Sequence, residues 1–209
     1  MNGRRWVVAS GLTVGGLAAA GVIALRSPGA AQGIDLRGKL ADDPALPVMG
    51  NPSGTTRVVE FFDYRCPYCR SMQPILHELL AKHNDIRLVL RVWPIFGGVS
   101  VDAAKVALAA NWQGRFDAVH AALFALDRSM DEAAVRQAAA GAGVDMARLD
   151  HDLTERAHDL DAALGETIIM AQALGLQGVP GFVAGRYKAP GAVTLSQMEE
   201  MIAQSAKPG

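Results

Sequence analysis

The chain has only two cysteines in its 209 residues, Cys66 and Cys69, and they lie three positions apart in the stretch FFDYRCPYCR. A C-x-x-C pair of this kind is half of a metal site, a structural cross-link or a redox-active dithiol. As a cross-link it would close a loop too small to stabilise a domain of this length. The residues around the pair must therefore distinguish metal binding from redox chemistry.

The pair lies where a predicted strand meets a predicted helix. Residues 57–63, RVVEFFD, are β-branched and aromatic as in a buried strand, and from Pro67 onward apolar side chains recur at helical spacing. The free N–H groups and the dipole at a helix start lower the pKa of a thiol placed there. We therefore expect Cys66 to be an exposed nucleophile. Cys69, one turn into the helix, should be shielded and able to attack a mixed disulfide.

The remaining segments predict an α/β fold with inserted helices. A second strand ends near Pro94, and residues 100–175 are rich in alanine and predict several helices, with two of them after Asp145. Strands return in GVPGFVAGRY, and residues 194–206 form a closing amphipathic helix. The order is a βαβ unit, a helical insertion at about 100–175 and a ββα unit.

The N-terminus differs from the rest of the chain. An Arg-Arg pair precedes twenty uncharged residues, 6–25, and small residues follow them. This layout predicts that residues 1–31 are a signal peptide or, if uncleaved, a membrane anchor, with general secretory and twin-arginine export both open. Residues 32–56 are then an extended lead-in, and 57–206 are the domain. We expect a periplasmic protein, which residues 6–25 would tether to the inner membrane if they are retained.

Export changes the charge of the chain. Removing residues 1–31 leaves 17 of the 20 basic residues and all 21 acidic ones, a net charge of −4. No basic stripe with interleaved aromatic residues occurs in the remainder. Nucleic acid is therefore excluded as a partner.

Two further positions in the sequence are chemically unusual. Pro180 follows Val179 at the start of a strand segment, 111 positions after Cys69. It is a turn proline or a cis-proline, and beside a redox dithiol we expect the cis form, with the preceding backbone free to pair with an incoming peptide. Glu60 is an acid inside the apolar stretch VVEFF. It is either a proton shuttle for Cys69 or an acid at a strand edge, and the residues alone leave both open.

The stretches VVEFFDYRCPYCR, GVPGFVAG and APGAVTLSQMEEMI together resemble the DsbA-like thiol:disulfide oxidoreductases, over roughly residues 46–206. The resemblance implies a thioredoxin fold with a helical insertion and no cofactor. It implies protein substrates with thiols or disulfides, and a membrane-bound redox partner that resets the pair. The site residues that it implies are Cys66 as nucleophile, Cys69 as resolving thiol, Glu60 as their acid, and Pro67, Tyr68, Val179 and Pro180 as substrate contacts.

Tyr68 departs from the family pattern, because the strongly oxidising members carry histidine there. Cys-Pro-Tyr-Cys is also the glutaredoxin tetrapeptide, but glutaredoxins lack a long helical block before their proline. Without an imidazole, one source of thiolate stabilisation is missing. We expect a dithiol oxidase of reduced strength, with a disulfide reductase or isomerase as the second interpretation. The isomerases add an N-terminal oligomerisation region, for which the 25 residues between Ala31 and Arg57 leave little room.

Two functions from other classes also use such a pair. Two thiolates suit Cu(I), with Met49, Met72 and the histidines as further ligands. However, the five histidines have no ligand spacing to the cysteines, and we expect His120 on a solvated helix face. We therefore predict no metal site. The other function is a membrane-tethered chaperone that grips peptides without turnover, and Cys66→Ala would leave such a protein intact.

Overall fold

The computed structural model describes residues 23–24 and 40–206, which build one mixed sheet with helices packed against it. The strands are β1 (Ile23–Ala24), β2 (Val48–Gly50), β3 (Thr56–Phe62), β4 (Ile86–Val92), β5 (Gly181–Ala184) and β6 (Tyr187–Pro190). Their order across the sheet is β1-β6-β5-β3-β4-β2. The pair β3–β4 is parallel, and the other described neighbours are antiparallel.

The helices follow the predicted order. They are α1 (Pro67–Lys82), α2 (Val99–Asn111), α3 (Phe116–Ala125), α4 (Glu132–Gly141), α5 (Met146–Glu155), α6 (Ala157–Ala173) and α7 (Leu195–Ser205). The predicted βαβ unit is β3-α1-β4, and the ββα unit is β5-β6-α7. The helices α2 to α6 lie between the two units, so the α/β class with a helical insertion is confirmed.

Both faces of the central strand β3 are buried. Val58 and Phe62 pack in the core that contains α1, whereas Val59 and Phe61 pack in a second core that contains residues of α6. Because side chains alternate along a strand, Glu60 points to the same face as Val58 and Phe62. The regular geometry of β3 therefore forces this acid into the core that also holds α1.

The predicted lead-in contributes more to the sheet than expected. Val48–Gly50 pairs with β4 at the end of the sheet, so part of residues 32–56 is a strand. Before it, Leu40, Ala41 and Leu46 are buried in the second core. The lead-in is therefore packed against the domain from residue 40 onward.

The predicted signal peptide or anchor, residues 1–31, lies outside the described residues except for Ile23 and Ala24. These two pair with Lys188 and Tyr187 of β6. Among residues 23–24 and 40–206, no helix is both long enough and apolar enough to cross a membrane.

Candidate active site

Cys66 lies between the end of β3 and the start of α1. It is the N-cap residue of the helix, and Pro67 occupies the first helical position. A backbone N–H at that position has no carbonyl partner within the helix, so the proline costs no hydrogen bond. The Cys66 sulfur accepts a hydrogen bond from the backbone N–H of Cys69, with 3.4 Å between sulfur and nitrogen. The sequence thus places a sulfur atom against the free N–H groups of a helix start.

Cys66 is buried, and the expectation of an exposed thiol is wrong. Only 3% of the residue is exposed, because the loop before β5 lies against it. In its protonated form, the Cys66 thiol donates to the backbone carbonyl oxygen of Val179, 113 positions later, at 3.6 Å. The Val179–Pro180 bond is cis, as predicted. Pro67 and Tyr68, between the two cysteines, are exposed to solvent, and the exposed fraction of Tyr68 is 65%.

The two sulfurs, both free thiols, have opposite environments. The pKa of Cys66 is lowered to about 6, first by a hydrogen bond from the Cys69 thiol and then by the N–H groups of Cys69 and Tyr68. Burial and the charge of Asp63 oppose this shift. The pKa of Cys69 is raised, first by burial and then by its hydrogen bond to Cys66. At neutral pH the site therefore holds a thiolate on Cys66 and a thiol on Cys69.

Glu60 is buried on the central strand, so the interpretation of an acid at a strand edge is wrong. It pairs with Leu90 of β4 and Phe182 of β5, and it has no exposed surface. Within the described residues, neither carboxyl oxygen has a hydrogen-bond partner. Burial, and then the charge of Cys66, raise the pKa of Glu60 to about 8. The charge of Glu60 also contributes to the raised pKa of Cys69.

A second buried acid, Asp63, was not predicted as a site residue from the sequence. Its carboxylate accepts the N–H of Arg65 at 2.8 Å, the hydroxyl of Ser100 at 2.9 Å and the N–H of Phe96 at 3.2 Å. Its backbone carbonyl accepts the N–H of Cys66 at 3.1 Å. The available signal was an acid placed directly after a buried strand and three residues before the first cysteine.

A hydrogen-bonded chain lies behind the active-site loop. His120 of α3 is only 2% exposed, so the expectation of a solvated face is wrong. The ring stacks on Phe116, and its Nδ1 lies 3.2 Å from the Tyr64 hydroxyl and its Nε2 3.1 Å from Oε1 of Gln73. Burial, and then His77, lower the pKa of His120 to about 3. His120 is therefore neutral and supplies no cation to the Cys66 thiolate.

The described residues gather no further metal ligands around the cysteines. Within residues 23–24 and 40–206, no group of three His, Cys, Asp or Glu side chains could hold a metal ion. The Met72 thioether, considered above as a Cu(I) ligand, is buried and accepts the N–H of Val193 at 3.4 Å. A Cu(I) ion would thus find two cysteine sulfurs and no cluster of additional ligands in this part of the chain.

Comparisons with known proteins agree with this architecture. Residues 57–203 match the family model described as a DSBA-like thioredoxin domain. A thioredoxin-like oxidoreductase from Silicibacter pomeroyi is 39% identical, with a TM-score of 0.78 and coverage of 83% of this chain and 99% of that one. The catalytic domain of Proteus mirabilis ScsC is 26% identical, with a TM-score of 0.72 and coverage of 81% and 93%.

Among curated proteins, the Na⁺/H⁺ antiporter NhaA 3 of Salinispora tropica is 32% identical over 124 residues, which is 56% of this chain. The match spans 19% of the length of the antiporter. The similarity therefore concerns a limited part of that protein.

Alkylation should reveal a single reactive thiol. In the folded, reduced protein, the rate at which iodoacetamide labels Cys66 should rise with pH around a midpoint near 6, below the ~8.5 of free cysteine. Cys69 should stay unlabelled, because burial raises its pKa and leaves it no exposed surface, whereas Cys66 keeps a small exposed fraction. Mass spectrometry of digested protein assigns the label, and Cys69→Ser isolates the signal of Cys66. Two slow thiols that titrate near the ordinary value would contradict the assignment.

Glu60 should make the fold less stable as the pH rises. Its pKa of about 8 exceeds the ordinary 4.5, so its contribution to stability is complete below pH 4.5 and is lost as the pH rises through 8. In this window the free energy of unfolding should fall by up to about 1.4 kcal/mol per pH unit from this group. Glu60→Gln should lack that slope and should be the more stable protein at pH 8.

Denaturant unfolding at several pH values between 5 and 8 measures the difference. Both proteins carry Cys66→Ser and Cys69→Ser, so that the cysteines do not titrate. Because the two proteins differ only at Glu60, the pH dependence that other groups contribute cancels in the difference. Equal slopes in the two proteins would mean that the Glu60 carboxyl is not held in its neutral form by burial.

Proposed function

The chain belongs to the DsbA-like thioredoxin-domain family and is a thiol:disulfide oxidoreductase, and we propose that it works as an exported dithiol oxidase of protein substrates. The observation that carries this proposal is the opposite shift of the two thiol pKa values. Because the fold lowers the pKa of Cys66, the Cys66 thiolate stabilises the folded, reduced protein. This contribution to stability is complete above the ordinary pKa and is lost as the pH falls through about 6. At neutral pH the fold therefore favours the dithiol, and a disulfide whose reduced form is favoured is an oxidant.

The reaction begins with the disulfide between Cys66 and Cys69. A substrate thiolate attacks the Cys66 sulfur, a mixed disulfide forms, and the electron pair of the broken bond goes to Cys69. Glu60, which is protonated below pH 8, gives its proton to the Cys69 sulfur, whose own pKa is raised. A second substrate thiolate then attacks the substrate sulfur, and Cys66 leaves as a stable thiolate. The substrate has lost two electrons and gained a disulfide, and the enzyme has become a dithiol.

The substrate chain is proposed to lie along the loop before β5. The carbonyl of Val179 faces the Cys66 sulfur, and Pro180 follows immediately before β5, where an extended peptide can pair as an added strand. Pro67 and the exposed Tyr68 complete the contact from the helix side. A membrane-bound partner would reoxidise the dithiol.

Export is part of the proposal. Residues 1–31, with an Arg-Arg pair before twenty uncharged residues, act as a signal peptide or anchor, and the domain that contains residues 57–206 works in the periplasm.

The direction of electron flow is tested with wild-type protein. Equilibration in glutathione buffers should give a potential between about −120 and −230 mV, and the reduced form should unfold at a higher temperature than the oxidised form. The disulfide form should oxidise a reduced protein substrate stoichiometrically. Cys69→Ser should accumulate mixed disulfides, whereas Cys66→Ser should form almost none. A potential near the thioredoxin value of about −270 mV, with the oxidised form the more stable, would identify a reductase.

Tyr68→His should make the protein a stronger oxidant. The phenol of Tyr68 is replaced by an imidazole that can carry a positive charge beside the Cys66 thiolate. We expect the potential to rise by tens of millivolts, about 30 mV for each 1.4 kcal/mol by which the thiolate is stabilised. Tyr68→Phe is the matched control and should stay near the wild-type potential. A histidine variant that is no more oxidising than the phenylalanine variant would contradict the role assigned to this position.

A further inference from the structure

Three hydrogen-bond donors converge on the carboxylate of Asp63 from three segments of the chain. They are the N–H of Arg65 in the active-site loop, the N–H of Phe96 in the loop after β4 and the hydroxyl of Ser100 in the first turn of α2. A carboxylate has acceptor sites for all three, whereas an asparagine would present an NH₂ group to one of the backbone donors or to the hydroxyl. The position therefore suits an acid rather than a neutral residue of the same shape.

The loop after β4 is held to the last residue of β3 and to the active-site loop. The N–H of Trp93 donates to the carbonyl of Phe62 at 2.7 Å, and the N–H of Phe96 donates to Asp63. Two side chains of this loop are nevertheless exposed, Phe96 by 47% and Ile95 by 41%. The solvent-facing loop after β4 is thus fixed by a hydrogen bond to the buried Asp63, which lies three residues before Cys66.

The charge of Asp63 opposes the activation of Cys66, whose pKa it raises. Cys69 on α1 is the other titratable side chain that shifts the pKa of Cys66, whereas the charge of Cys66 raises the pKa of Glu60 on β3. The loop before β5 faces Cys66 with the uncharged carbonyl of Val179. A buried acid is unfavourable beside a thiolate. Its presence therefore indicates a role other than activation.

We propose that Asp63 is a positioning residue for disulfide exchange, because its carboxylate fixes the loop that carries Cys66 against the loop after β4 and the start of α2. The proposal rests on the proposed function only in taking Cys66 as the thiol that meets protein substrates. It has two consequences. Loss of the charge should make the thiol more acidic, and loss of the hydrogen bonds should slow its reaction with a protein.

Asp63→Asn removes the charge, whereas Ser100→Ala removes one hydrogen bond and keeps the charge. Both are placed in Cys69→Ser protein, so that mixed disulfides accumulate. In Asp63→Asn, ultraviolet absorbance at pH 5 should show about a threefold larger thiolate fraction, a downward shift of about half a pKa unit. Ser100→Ala should leave that fraction unchanged.

The second measurement is made at pH 8, above the pKa of about 6 of the wild-type Cys66 thiol. Mixed-disulfide formation with scrambled ribonuclease A should be several-fold slower in Asp63→Asn. Alkylation by iodoacetamide needs no docking and should stay within about twofold, as expected when thiolate is not limiting. This split separates positioning of the loop from a general loss of reactivity.

If Asp63→Asn does not fold, Asp63→Ser is measured in the same way, because a serine hydroxyl can still accept the N–H two residues later. An unchanged or raised pKa of Cys66 in the neutral variant overturns the proposal, and so does an unchanged rate with the protein substrate. These are differences between variants, whichever way electrons flow. Failure of the proposed function would appear instead in the wild-type potential.

Discussion

The sulfur of Cys66 caps the helix that follows it, and this contact couples the start of α1 to the redox state. The first N–H groups of a helix lack carbonyl partners, and here the N–H of Cys69 is accepted by that sulfur. A thiolate is a stronger acceptor than an uncharged sulfur, so the helix start is better satisfied when the pair is reduced. The contact that begins α1 thus also favours transfer of the disulfide to another protein.

Local sequence pattern is sufficient for the parts of the site that one segment builds. The apolar run of β3, the helical spacing after Pro67 and the position of the two cysteines follow from neighbouring residues, and so does the burial of Cys69. The inserted helices α2 to α6 also follow from local pattern. Pro180 requires more, because a proline before a strand acquires its meaning only beside the dithiol, and the combination of the two predicts the cis bond that the structure contains.

Contacts between distant segments are the part that the sequence could not predict. Cys66 is covered by Val179, and Asp63 is engaged by Phe96 and Ser100, which belong to elements with no local signal for these partners. His120 lies in α3, an alanine-rich helix whose apolar residues are not limited to one face. Which face of α3 is buried therefore depends on how the helix packs against the rest of the fold. The three residues of β2 are too few for an alternating pattern.

The reduced site concentrates negative charge on Cys66 beside the charged Asp63, and it keeps the other titratable neighbours neutral. Burial leaves Glu60 and Cys69 protonated, and His120 is uncharged, so that no cationic side chain among the described residues lowers the pKa of Cys66. The stabilising groups are N–H and S–H dipoles fixed by the fold. Salt screens interactions between exposed charges far more than those of partly buried dipoles. The reactivity of this thiol is therefore tied to the geometry of the helix start and the loops around it rather than to the ionic strength outside.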